Sequence, residues 1–415
     1  MKDLSRKDLS REEDSTPTMG FDPDQQQVVD HRNGRLLALG GPGTGKSTVL
    51  EERFVRLALS DGCAPDRVLF LVTNRGQKIV AQDRITRRLL FDEGIEALIE
   101  VPVYTWHGLA HHLVSRHYER LEYPEPPVLL TSPEQWGDVR DALASESDVN
   151  WPHYKSMLRS ESFVDEVVDF CIRAEQRVLQ EAELRRLTEA RPEYTEIIRF
   201  YRRHRNRLRV GARIDYPTLL EDATSLIADH DDVRAGLHGR FTHILVDDAQ
   251  ELARVQQRLL LFLAGADAGA SEVDGRSLVV AADPDSSIEA FRGAEPEWLG
   301  RFEADFGAHQ KVSLGTSYRL GAELGGRANQ FIERTGEAGH RPQSFAGAAG
   351  VEAWSFAGLA AEADGVARAL RLAHLKDGVA YEDMAVLMTS PASMLPPLER
   401  ALGAVEVPYS ISVPD

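Results

Sequence analysis

The stretch RLLALGGPGTGKST (residues 35–48) joins a short apolar run to a glycine-rich turn that ends in Gly-Lys-Ser. The run RLLALG (35–40) is typical of a buried strand. The turn matches the pattern Gly-x-x-x-x-Gly-Lys-Ser/Thr, in which backbone N–H groups curl around phosphate oxygens. Apolar residues from Leu50 to Ala58 follow at helical spacing, so a helix would offer its positive N-terminal end to the same phosphates. The sequence therefore predicts a strand, a phosphate-binding loop and a helix in succession.

The residues of this turn have separate expected roles around a nucleoside triphosphate. Lys46 should reach the β- and γ-phosphates, and the Ser47 hydroxyl should coordinate Mg²⁺. The residues expected to line the phosphates are Gly41, Pro42, Gly43, Thr44, Gly45, Lys46, Ser47 and Thr48. A purely structural turn is the disfavoured alternative, because a strand before it and a helix after it are both expected. The stretch predicts binding of ATP with Mg²⁺.

A second stretch, HILVDDAQEL (243–252), has the pattern of a buried strand that delivers two carboxylates to a loop. Asp247 would hold Mg²⁺ together with Ser47, and Asp248 would polarise the water that attacks the γ-phosphate. The alternative is that the two acids only cap the following helix. Beside a phosphate-binding loop, the metal and water roles are favoured.

Length, charge and cysteine content limit the class of protein. The 415 residues are enough for two or three domains. The net charge of −18 argues against a surface coated throughout with basic groups for nucleic acid. Two cysteines, Cys63 and Cys171, cannot build a disulfide framework, so a reducing cytoplasm is expected. No segment approaches the roughly 18 apolar residues that span a bilayer, and no membrane partner is expected.

Alternating strand and helix patterns predict a parallel α/β sheet interrupted by a helical insertion. Further strands are expected at RVLFLV (67–72), HILVDD (243–248), SLVVAAD (277–283), KVSLG (311–315), VEAWSF (351–356), MAVLM (384–388) and VPYSIS (407–412). The expected domains are a disordered tail (1–19), a first α/β domain (20–109 and 214–308), a helical insertion (110–213) and the start of a second α/β domain (309–415).

One basic cluster stands out in this acidic chain. The stretch IIRFYRRHRNRLRVGAR (197–213) places seven arginines between Arg199 and Arg213. It is either a solvated helix face or a patch that grips a nucleic-acid backbone. The two alternatives are equally favoured by the sequence.

Six further segments resemble, in the right order, the motifs of superfamily 1 DNA helicases of the UvrD, Rep and PcrA type. They are FDPDQQQVVDH (21–31), LVTNRGQKIVAQDRI (71–85), VYTWHGLAHHLV (103–114), DYPTLLEDA (215–223), AADPDSSIEAFRGAEP (281–296) and SLGTSYRLGAEL (313–324). Within this superfamily, the sequence pattern is most similar to that of the actinobacterial AdnAB helicase–nuclease subunits. The resemblance implies a RecA-like P-loop parallel sheet with a helical insertion, followed by an incomplete second RecA-like domain. It also implies ATP-driven movement on single-stranded or duplex-end DNA in repair or recombination.

The resemblance implies roles for residues outside the phosphate loop. Gln25 would recognise adenine, Tyr318 would stack on it, and Arg319 would meet the γ-phosphate. Arg292 would link the nucleotide and DNA sites. The residues implied to touch DNA are Thr73, Asn74, Thr105, Trp106, His107 and Phe291, with Trp106 and Phe291 as base-stacking surfaces. The competing interpretations are turn chemistry for the polar residues, burial in the core for Trp106, and ordinary strand-end residues for Tyr318 and Arg319.

Two residues depart from the family pattern at positions that bear on hydrolysis. Asp248 replaces a glutamate and is shorter by one C–C bond of about 1.5 Å, and a misplacement of about 1 Å can cost on the order of a hundredfold in rate. Ser286 replaces a glutamine that contacts the γ-phosphate and the attacking water. The family's later motifs and a nuclease domain are not found before Asp415, so a fragment of a longer protein or a truncated one is expected.

Two hypotheses follow, and they differ in class. The first is a DNA helicase whose catalytic residues are Lys46, Asp247, Asp248, Ser286 and Arg319. The second is a degenerate, weakly hydrolysing motor subunit that binds DNA or a partner in a helicase–nuclease heterodimer. Asp248 and Ser286 favour the second, whereas the intact phosphate loop favours the first. A P-loop kinase of small molecules would leave the helicase-like segments unexplained.

Overall fold

The computed structural model of the protein describes residues 20–59, 62–92, 100–177, 179, 181–266, 276–290, 293–335, 341–347 and 350–411. The expected disordered tail (1–19), Phe291 and Arg292 lie outside the described residues. The described residues fall into two compact units that divide between Ala349 and Gly350.

A six-stranded parallel sheet forms the centre of the first unit. The strands are β1 (Gly34–Gly40), β2 (Val68–Val72), β3 (Val103–Thr105), β4 (Val128–Leu129), β5 (Arg213–Ile214), β6 (His243–Val246), β7 (Ser277–Ala282), β8 (Gln310–Leu314), β9 (Thr316–Ser317) and β10 (Ser344–Phe345). The sheet has the order β3-β2-β6-β7-β1-β8, and the other four strands form two short pairs. The strands predicted for the first α/β domain, and the one at KVSLG, are therefore confirmed.

Helices cover both faces of this sheet. The α-helices of the described residues, those of the insertion and of the second unit included, are α1 (Pro23–Val29), α2 (Lys46–Leu59), α3 (Arg75–Arg87), α4 (Trp106–Arg116), α5 (Ser132–Ala144), α6 (Glu161–Gln176), α7 (Glu181–Ala190), α8 (Tyr194–Val210), α9 (Tyr216–Asp229), α10 (Asp231–Arg240), α11 (Arg254–Ala264), α12 (Phe302–Phe306), α13 (Ala322–Thr335), α14 (Leu359–Asp377) and α15 (Pro391–Ala404). None of the described helices is both long and apolar enough to cross a bilayer.

The inner strands β2, β6 and β7 are buried along nearly their whole length because both faces of the sheet are covered there, whereas β8 at the edge is buried only at Val312 and Leu314. In β1, Leu37 and Leu39 join one cluster with α4, α9 and α11, while Leu36 and Ala38 join another with α1 and α2. Side chains of a strand alternate between faces, so one strand supplies both clusters. Each fully buried leucine contributes about 1.5–3 kcal/mol relative to an exposed one. The P-loop RecA-like sheet expected from the sequence is thus the observed architecture.

The topology brings the chemistry of the chain to one edge of the sheet. β6, β7 and β1 are adjacent and parallel, so their carboxyl ends lie side by side. Gly40 ends β1, Asp247 follows β6, and Asp283 follows β7. Ligands of open α/β sheets bind in the crevice outside the carboxyl ends of the strands.

The helical insertion between β3 and β6 has a core of its own. Helices α5, α6 and α8 contribute to a cluster centred on Trp151, Phe163 and Phe200. The Trp151 ring lies edge-on to Phe163, with ring centroids 5.8 Å apart, and is tilted against Phe200 at 5.9 Å. Aromatic pairs in such arrangements add about 0.5–1.5 kcal/mol beyond the burial of their area.

The arginine cluster of α8 and β5 lies against carboxylates of the same unit. The pairs are Arg203–Glu146 (2.6 Å), Arg205–Glu221 (2.9 Å), Arg207–Asp138, Arg209–Asp222 (2.8 Å) and Arg213–Asp138 (2.6 Å). The carboxylate partners Asp138 and Asp222 are almost fully buried. Much of the positive charge is therefore neutralised within the protein, which favours a structural role over a grip on nucleic acid.

Reversing the charge of two of these arginines, in the variant Arg203→Glu/Arg207→Glu, should destabilise the insertion. Each new glutamate would face the carboxylate of Glu146 or Asp138. Half-exposed pairs contribute up to about 1 kcal/mol each, and like charges add repulsion. We expect the free energy of unfolding to fall by about 1–3 kcal/mol in thermal or urea unfolding.

The matched control for this variant is Arg185→Glu/Arg186→Glu, which reverses two exposed arginines of α7. The control should unfold close to the wild type. An unchanged stability of Arg203→Glu/Arg207→Glu, together with a shallower salt dependence of DNA binding, would instead return the cluster to the nucleic-acid interpretation.

The second unit contains α14 and α15 in its described part, but none of the three strands predicted there. Apolar residues of both helices, among them Ala363, Ala367 and Leu398, form a small cluster. In MAVLM, Val386 and Met388 pack against this cluster while Leu387 is exposed, so burial alternates along the segment. The segment nevertheless has no ladder partner among the described residues, and neither do VEAWSF and VPYSI. The prediction of strands here is wrong, because a short apolar segment does not by itself supply the neighbouring strand that a sheet needs.

The predicted domain boundary at 309 also needs correction. β8 pairs with β1 through Leu36↔Gln310 and Gly40↔Leu314, so it completes the first sheet. The two compact units divide at 349/350 instead. The helicase-like segment SLGTSYRLGAEL (313–324) therefore belongs to the same unit as the phosphate loop.

Candidate functional site

The phosphate loop is a tight turn between β1 and α2. Thr44 Oγ1 donates a hydrogen bond of 2.9 Å to the Gly41 carbonyl. Gly43 and Gly45 have φ angles of 74° and 86°, a region that favours glycine. A Cβ at Gly43 would lie 2.7 Å from Ser317 Oγ, so a side chain there would collide with the segment after β8. Helix α2 begins at Lys46, and its positive end faces the turn.

Lys46 lies across the mouth of this loop. Its Nζ donates to the carbonyls of Gly40 at 2.9 Å and Gly41 at 3.1 Å, and it lies 3.9 Å from Asp283 Oδ2. The amine is therefore held at the carboxyl edge of β1 and β7. A lysine ammonium has three donors and suits phosphate oxygens as a compact positive charge.

Asp247 and Ser47 meet at the position predicted for the metal. Asp247 is 2% exposed, and the Ser47 hydroxyl donates to its carboxylate. Burial, with the neighbouring Asp248 charge, raises the pKa of Asp247 to about 7, although the Ser47 hydrogen bond and Lys46 oppose the shift. A buried carboxylate without a full positive partner is a favourable ligand for a cation.

The donor set around Asp247 fits Mg²⁺ bound together with phosphate. Mg²⁺ in nucleotide sites takes one or two protein carboxylates, with substrate phosphates and water completing an octahedron. Within the described part of the chain, no cluster of three or more His, Cys, Asp or Glu residues could hold a metal by itself. Ser47 and Asp247 would therefore share a cation with a bound triphosphate.

Asp248 is held by two amide side chains in the loop after β6. Its Oδ2 accepts a hydrogen bond of 2.7 Å from Gln77 Nε2, and its Oδ1 accepts one of 3.3 Å from Gln250 Nε2. Its backbone is left-handed, with φ 48° and ψ 45°, a conformation that aspartate tolerates better than most residues. Its side chain does not cap the short helix that follows. The capping alternative is therefore wrong for Asp248.

The loop after β7 carries Ser286 and an unpredicted carboxylate, Asp283. Ser286 Oγ donates to the Asp283 carbonyl at 3.3 Å, so its side chain turns toward the backbone of its own loop. Asp283 is buried; burial raises its pKa, and Lys46 opposes the shift. Its backbone N–H donates to Gln250 Oε1 at 2.9 Å. The sequence signal for Asp283 was its position at the end of the strand SLVVAAD.

Residues from both ends of the first unit surround the phosphate loop. Gln25 Nε2 donates to the Thr44 carbonyl at 3.0 Å, and its Oε1 accepts from the Asp22 N–H at 3.2 Å. The backbone N–H of Tyr318 donates to the Gly43 carbonyl at 2.9 Å, and its hydroxyl donates to Asp22 Oδ2 at 2.8 Å. Gln25 thus braces the loop, while the Tyr318 ring is 45% exposed beside it.

Arg319 follows Tyr318 on the exposed side of the same segment. Its Cβ is so close to the loop that a Cβ at Gly43 would lie 2.7 Å from it. The structure therefore brings together the phosphate loop, Gln25, Tyr318 and Arg319, which lie far apart in the sequence. Their contacts with a nucleotide remain a prediction.

Of the residues predicted to touch DNA, Thr73 and Asn74 follow β2, and Thr105, Trp106 and His107 lie at the end of the adjacent strand β3 or directly after it. The side chains of Asn74 and Thr105 cap α3 and α4, accepting hydrogen bonds from the N–H groups of Gln77 (2.9 Å) and Gly108 (3.0 Å). Thr73 bonds to the Gln77 side chain. The capping chemistry is thus present, and caps with exposed polar atoms can also serve a phosphate backbone.

The aromatic residues near this edge differ in their exposure. Trp106 is fully buried in the main apolar cluster, so the core interpretation holds and the stacking role is corrected. His107 lies edge-on to Tyr216, with ring centroids 5.2 Å apart, and Tyr216 is exposed. Phe291 and Arg292 lie outside the described residues.

Comparison with known proteins finds DNA helicases among the proteins similar to this chain. DNA helicase II of Escherichia coli (strain K12) is 25% identical over 312 residues, which cover 74% of this chain and 40% of that protein. ATP-dependent DNA helicase UvrD1 of Mycobacterium tuberculosis (strain ATCC 25618 / H37Rv) is 24% identical over 401 residues, covering 94% and 49%. ATP-dependent DNA helicase PcrA of Staphylococcus epidermidis (strain ATCC 12228) is 22% identical over 392 residues, covering 94% and 50%. The chain spans half, or less, of the length of these relatives.

The family assignment rests on a longer match than any single motif. A family model described as the UvrD/REP helicase N-terminal domain matches residues 21–307. This match extends from the helix before the phosphate loop to the segment before β8 and covers more than half of the chain. The predicted resemblance to UvrD-type helicases is confirmed at this level: the protein belongs to the UvrD/REP helicase N-terminal domain family.

Proposed function

We propose that this chain is the ATP-binding motor portion of an ATP-dependent DNA helicase, in which hydrolysis drives movement on single-stranded DNA. The observation that carries the proposal is the meeting of Lys46, Ser47 and Asp247 at the carboxyl ends of β1 and β6. The names of the relatives, all ATP-dependent or DNA helicases, support the choice of activity. A role in repair or recombination and a duplex-end substrate are part of this proposal.

The proposed chemistry divides among side chains at the edge of the sheet. Bound Mg²⁺ would neutralise phosphate charge and would be held by Ser47 and Asp247. Lys46 would donate to the β- and γ-phosphate oxygens, and Arg319 would stabilise the charge that develops on the γ-phosphate. Asp248 would accept a proton from the attacking water. At the same time the oxygen of that water would bond to the γ-phosphorus, and the bond between the γ-phosphorus and ADP would break.

The proposed DNA track runs past the carboxyl ends of β2 and β3. Thr73, Asn74 and Thr105 offer hydroxyl, amide and backbone donors there, beside the exposed ring of Tyr216. Such donors position a nucleic-acid backbone without reading its sequence. This track adjoins the nucleotide edge, because β2 pairs directly with β6.

Phosphate release from ATP, with and without an unstructured single-stranded oligonucleotide, tests this proposal on the 415-residue chain. We expect release to require Mg²⁺ and to rise when the oligonucleotide is added, because DNA should order the loops beside the nucleotide. Calorimetric titration with ATP·Mg²⁺ provides the binding constant independently. A chain that neither binds nor hydrolyses ATP would contradict the proposal.

A second candidate is a motor subunit that binds ATP and DNA but hydrolyses poorly within a helicase–nuclease heterodimer. Specific observations favour it: both oxygens of Asp248 already accept amide hydrogen bonds, and Ser286 faces the backbone of its own loop. The likeness to AdnAB subunits belongs to this candidate. Tight ATP and DNA binding without phosphate release in the same assay would select it over the first.

A further inference from the structure

The side chain of Gln77 forms a bridge between the proposed DNA track and the proposed water-activating carboxylate. On one side, its Oε1 accepts hydrogen bonds from Thr73 Oγ1 at 2.6 Å and from the Thr73 N–H at 3.2 Å. On the other side, its Nε2 donates to Asp248 Oδ2 at 2.7 Å. One amide group therefore joins two residues that lie 175 positions apart in the sequence.

The fold explains how this bridge forms. β2 and β6 are neighbours in register Leu71↔Val246, so the residues that follow them emerge side by side. Helix α3 begins directly after β2, with Asn74 as its N-cap. Gln77 is the third residue of the helix, so its side chain lies at the same edge as both loops. The amide is half-buried and has one acceptor and one donor engaged in opposite directions.

The donors of Thr73 cannot serve two acceptors equally well. A phosphate oxygen of DNA would need the same hydroxyl and N–H that now point at Gln77 Oε1. Each donor carries one hydrogen, so a phosphate that binds here must displace the amide oxygen. The displaced amide would lose the contact that orients its Nε2 toward Asp248.

We infer that Gln77 is a positioning residue that couples nucleic-acid binding at Thr73 to the restraint of Asp248. In the absence of DNA, the amide holds Thr73 and Asp248 together. Phosphate binding at Thr73 releases the amide and leaves Asp248 Oδ2 available to a water molecule. This inference rests on the proposed function, since it requires DNA at the Thr73 loop and a role for Asp248 toward water.

Thermodynamic reciprocity makes the coupling measurable from the DNA side without any hydrolysis. If Asp248 anchors Gln77, removing that anchor should free Thr73 and strengthen DNA binding. A neutral residue at position 248 would also strengthen DNA binding by a second route, because it no longer repels the phosphates of DNA. One neutral variant therefore does not isolate the effect of the anchor. The pair Asp248→Ala and Asp248→Asn separates the effects: both remove the charge, but only asparagine retains an oxygen that can accept from Gln77 Nε2.

The experiment measures the dissociation constant of a fluorescent oligothymidine, without nucleotide, for the 415-residue chain and its variants. Gln77→Ala should bind about threefold to tenfold more tightly than the wild type, because removing one competing hydrogen-bond partner is worth about 1 kcal/mol. Asp248→Ala should bind about threefold more tightly than Asp248→Asn. In a Gln77→Ala background this difference between the two Asp248 variants should vanish. Gln82→Ala, the same substitution at another half-buried glutamine of α3, whose amide donates to the Val101 carbonyl at 3.5 Å, is the matched control and should bind like the wild type.

Either of two results overturns the inference. One is weaker or unchanged DNA binding by Gln77→Ala, as expected if the amide only supports the fold. The other is an Asp248→Ala to Asp248→Asn ratio that persists without Gln77. Failure of the proposed function has a different signature, because it would remove ATP·Mg²⁺ binding from the wild type itself.

Discussion

Replacing Lys46 with alanine should weaken ATP binding by at least about a hundredfold, because each charge-assisted hydrogen bond to phosphate is worth about 1.5–3 kcal/mol. The ammonium lies at the carboxyl edge of β1, within 3.9 Å of Asp283 and directly above the loop carbonyls. Isothermal titration with ATP·Mg²⁺ measures the loss directly.

The control for Lys46→Ala is Lys311→Ala, an exposed lysine of β8 on the same sheet. It should retain the affinity of the wild type. Melting of both variants without nucleotide checks the fold, since removing Lys46 also removes the cation nearest to buried Asp283. An unchanged ATP affinity in a folded Lys46→Ala chain would exclude the phosphate role of Lys46.

The Mg²⁺-dependent part of ATP binding should decrease as the pH falls below about 7, the pKa of Asp247. Burial raises that pKa, so at lower pH the carboxyl is protonated and has no charge for a cation. Binding of Mg²⁺ near neutral pH should therefore release a proton from Asp247. The chain is titrated with ATP at several pH values between 6 and 8, once with Mg²⁺ present and once with a chelator. The difference between the two ATP affinities at each pH is the Mg²⁺-dependent part.

The phosphates of ATP also titrate near pH 6 and contribute a pH dependence of their own. The variant Asp247→Asn measures this contribution separately. It should lose most of the Mg²⁺-dependent affinity, along with the part of its pH dependence that belongs to the protein. Asp83→Asn, an exposed carboxylate of α3, should leave both unchanged. Asp247 would be excluded as a ligand if the gain in ATP affinity on adding Mg²⁺ depended on pH in the same way in the wild type and in Asp247→Asn.

The raised pKa of Asp247 should also make the stability of the folded protein depend on pH. Its pKa is raised in the folded state, so the protonated form contributes stability below pH 3.8 that is lost as the pH rises through about 7. Above pH 7 the folded protein must keep a buried charge beside Asp248. The Asp247→Asn chain should therefore be more stable than the wild type above pH 7 in the absence of Mg²⁺.

Local sequence signals were sufficient for the inner strands of the first sheet because those strands are continuous apolar runs. RVLFLV and SLVVAAD are buried on both faces, so their burial needs no knowledge of partners. The phosphate loop is equally local, since Gly43 and Gly45 supply the backbone freedom that the turn needs. MAVLM (384–388) is also a continuous apolar run, but it pairs with no strand among the described residues, because pairing depends on another segment that the run itself does not specify.

Side-chain contacts across the sheet were beyond what the sequence could predict. Nothing in the string TNRGQK distinguishes Gln77 as a partner of Asp248, because the contact depends on the order β2-β6 in the sheet. Trp106 was ambiguous for a similar reason, since its exposure depends on which helices cover β3. Departures from a family pattern, by contrast, were visible at once at Asp248 and Ser286.

The place of β1 in the sheet has a consequence for synthesis on the ribosome. β1 lies between β7 and β8, and β8 is made about 270 residues after Gly40. At roughly 5–20 residues per second, the nascent chain would wait on the order of 15–50 seconds for that flanking strand. During this interval the loop at Gly43 lacks the Ser317–Tyr318 segment that contacts it. Nascent chains released early should therefore fail to retain ATP, even though every residue of the GKS motif is already present.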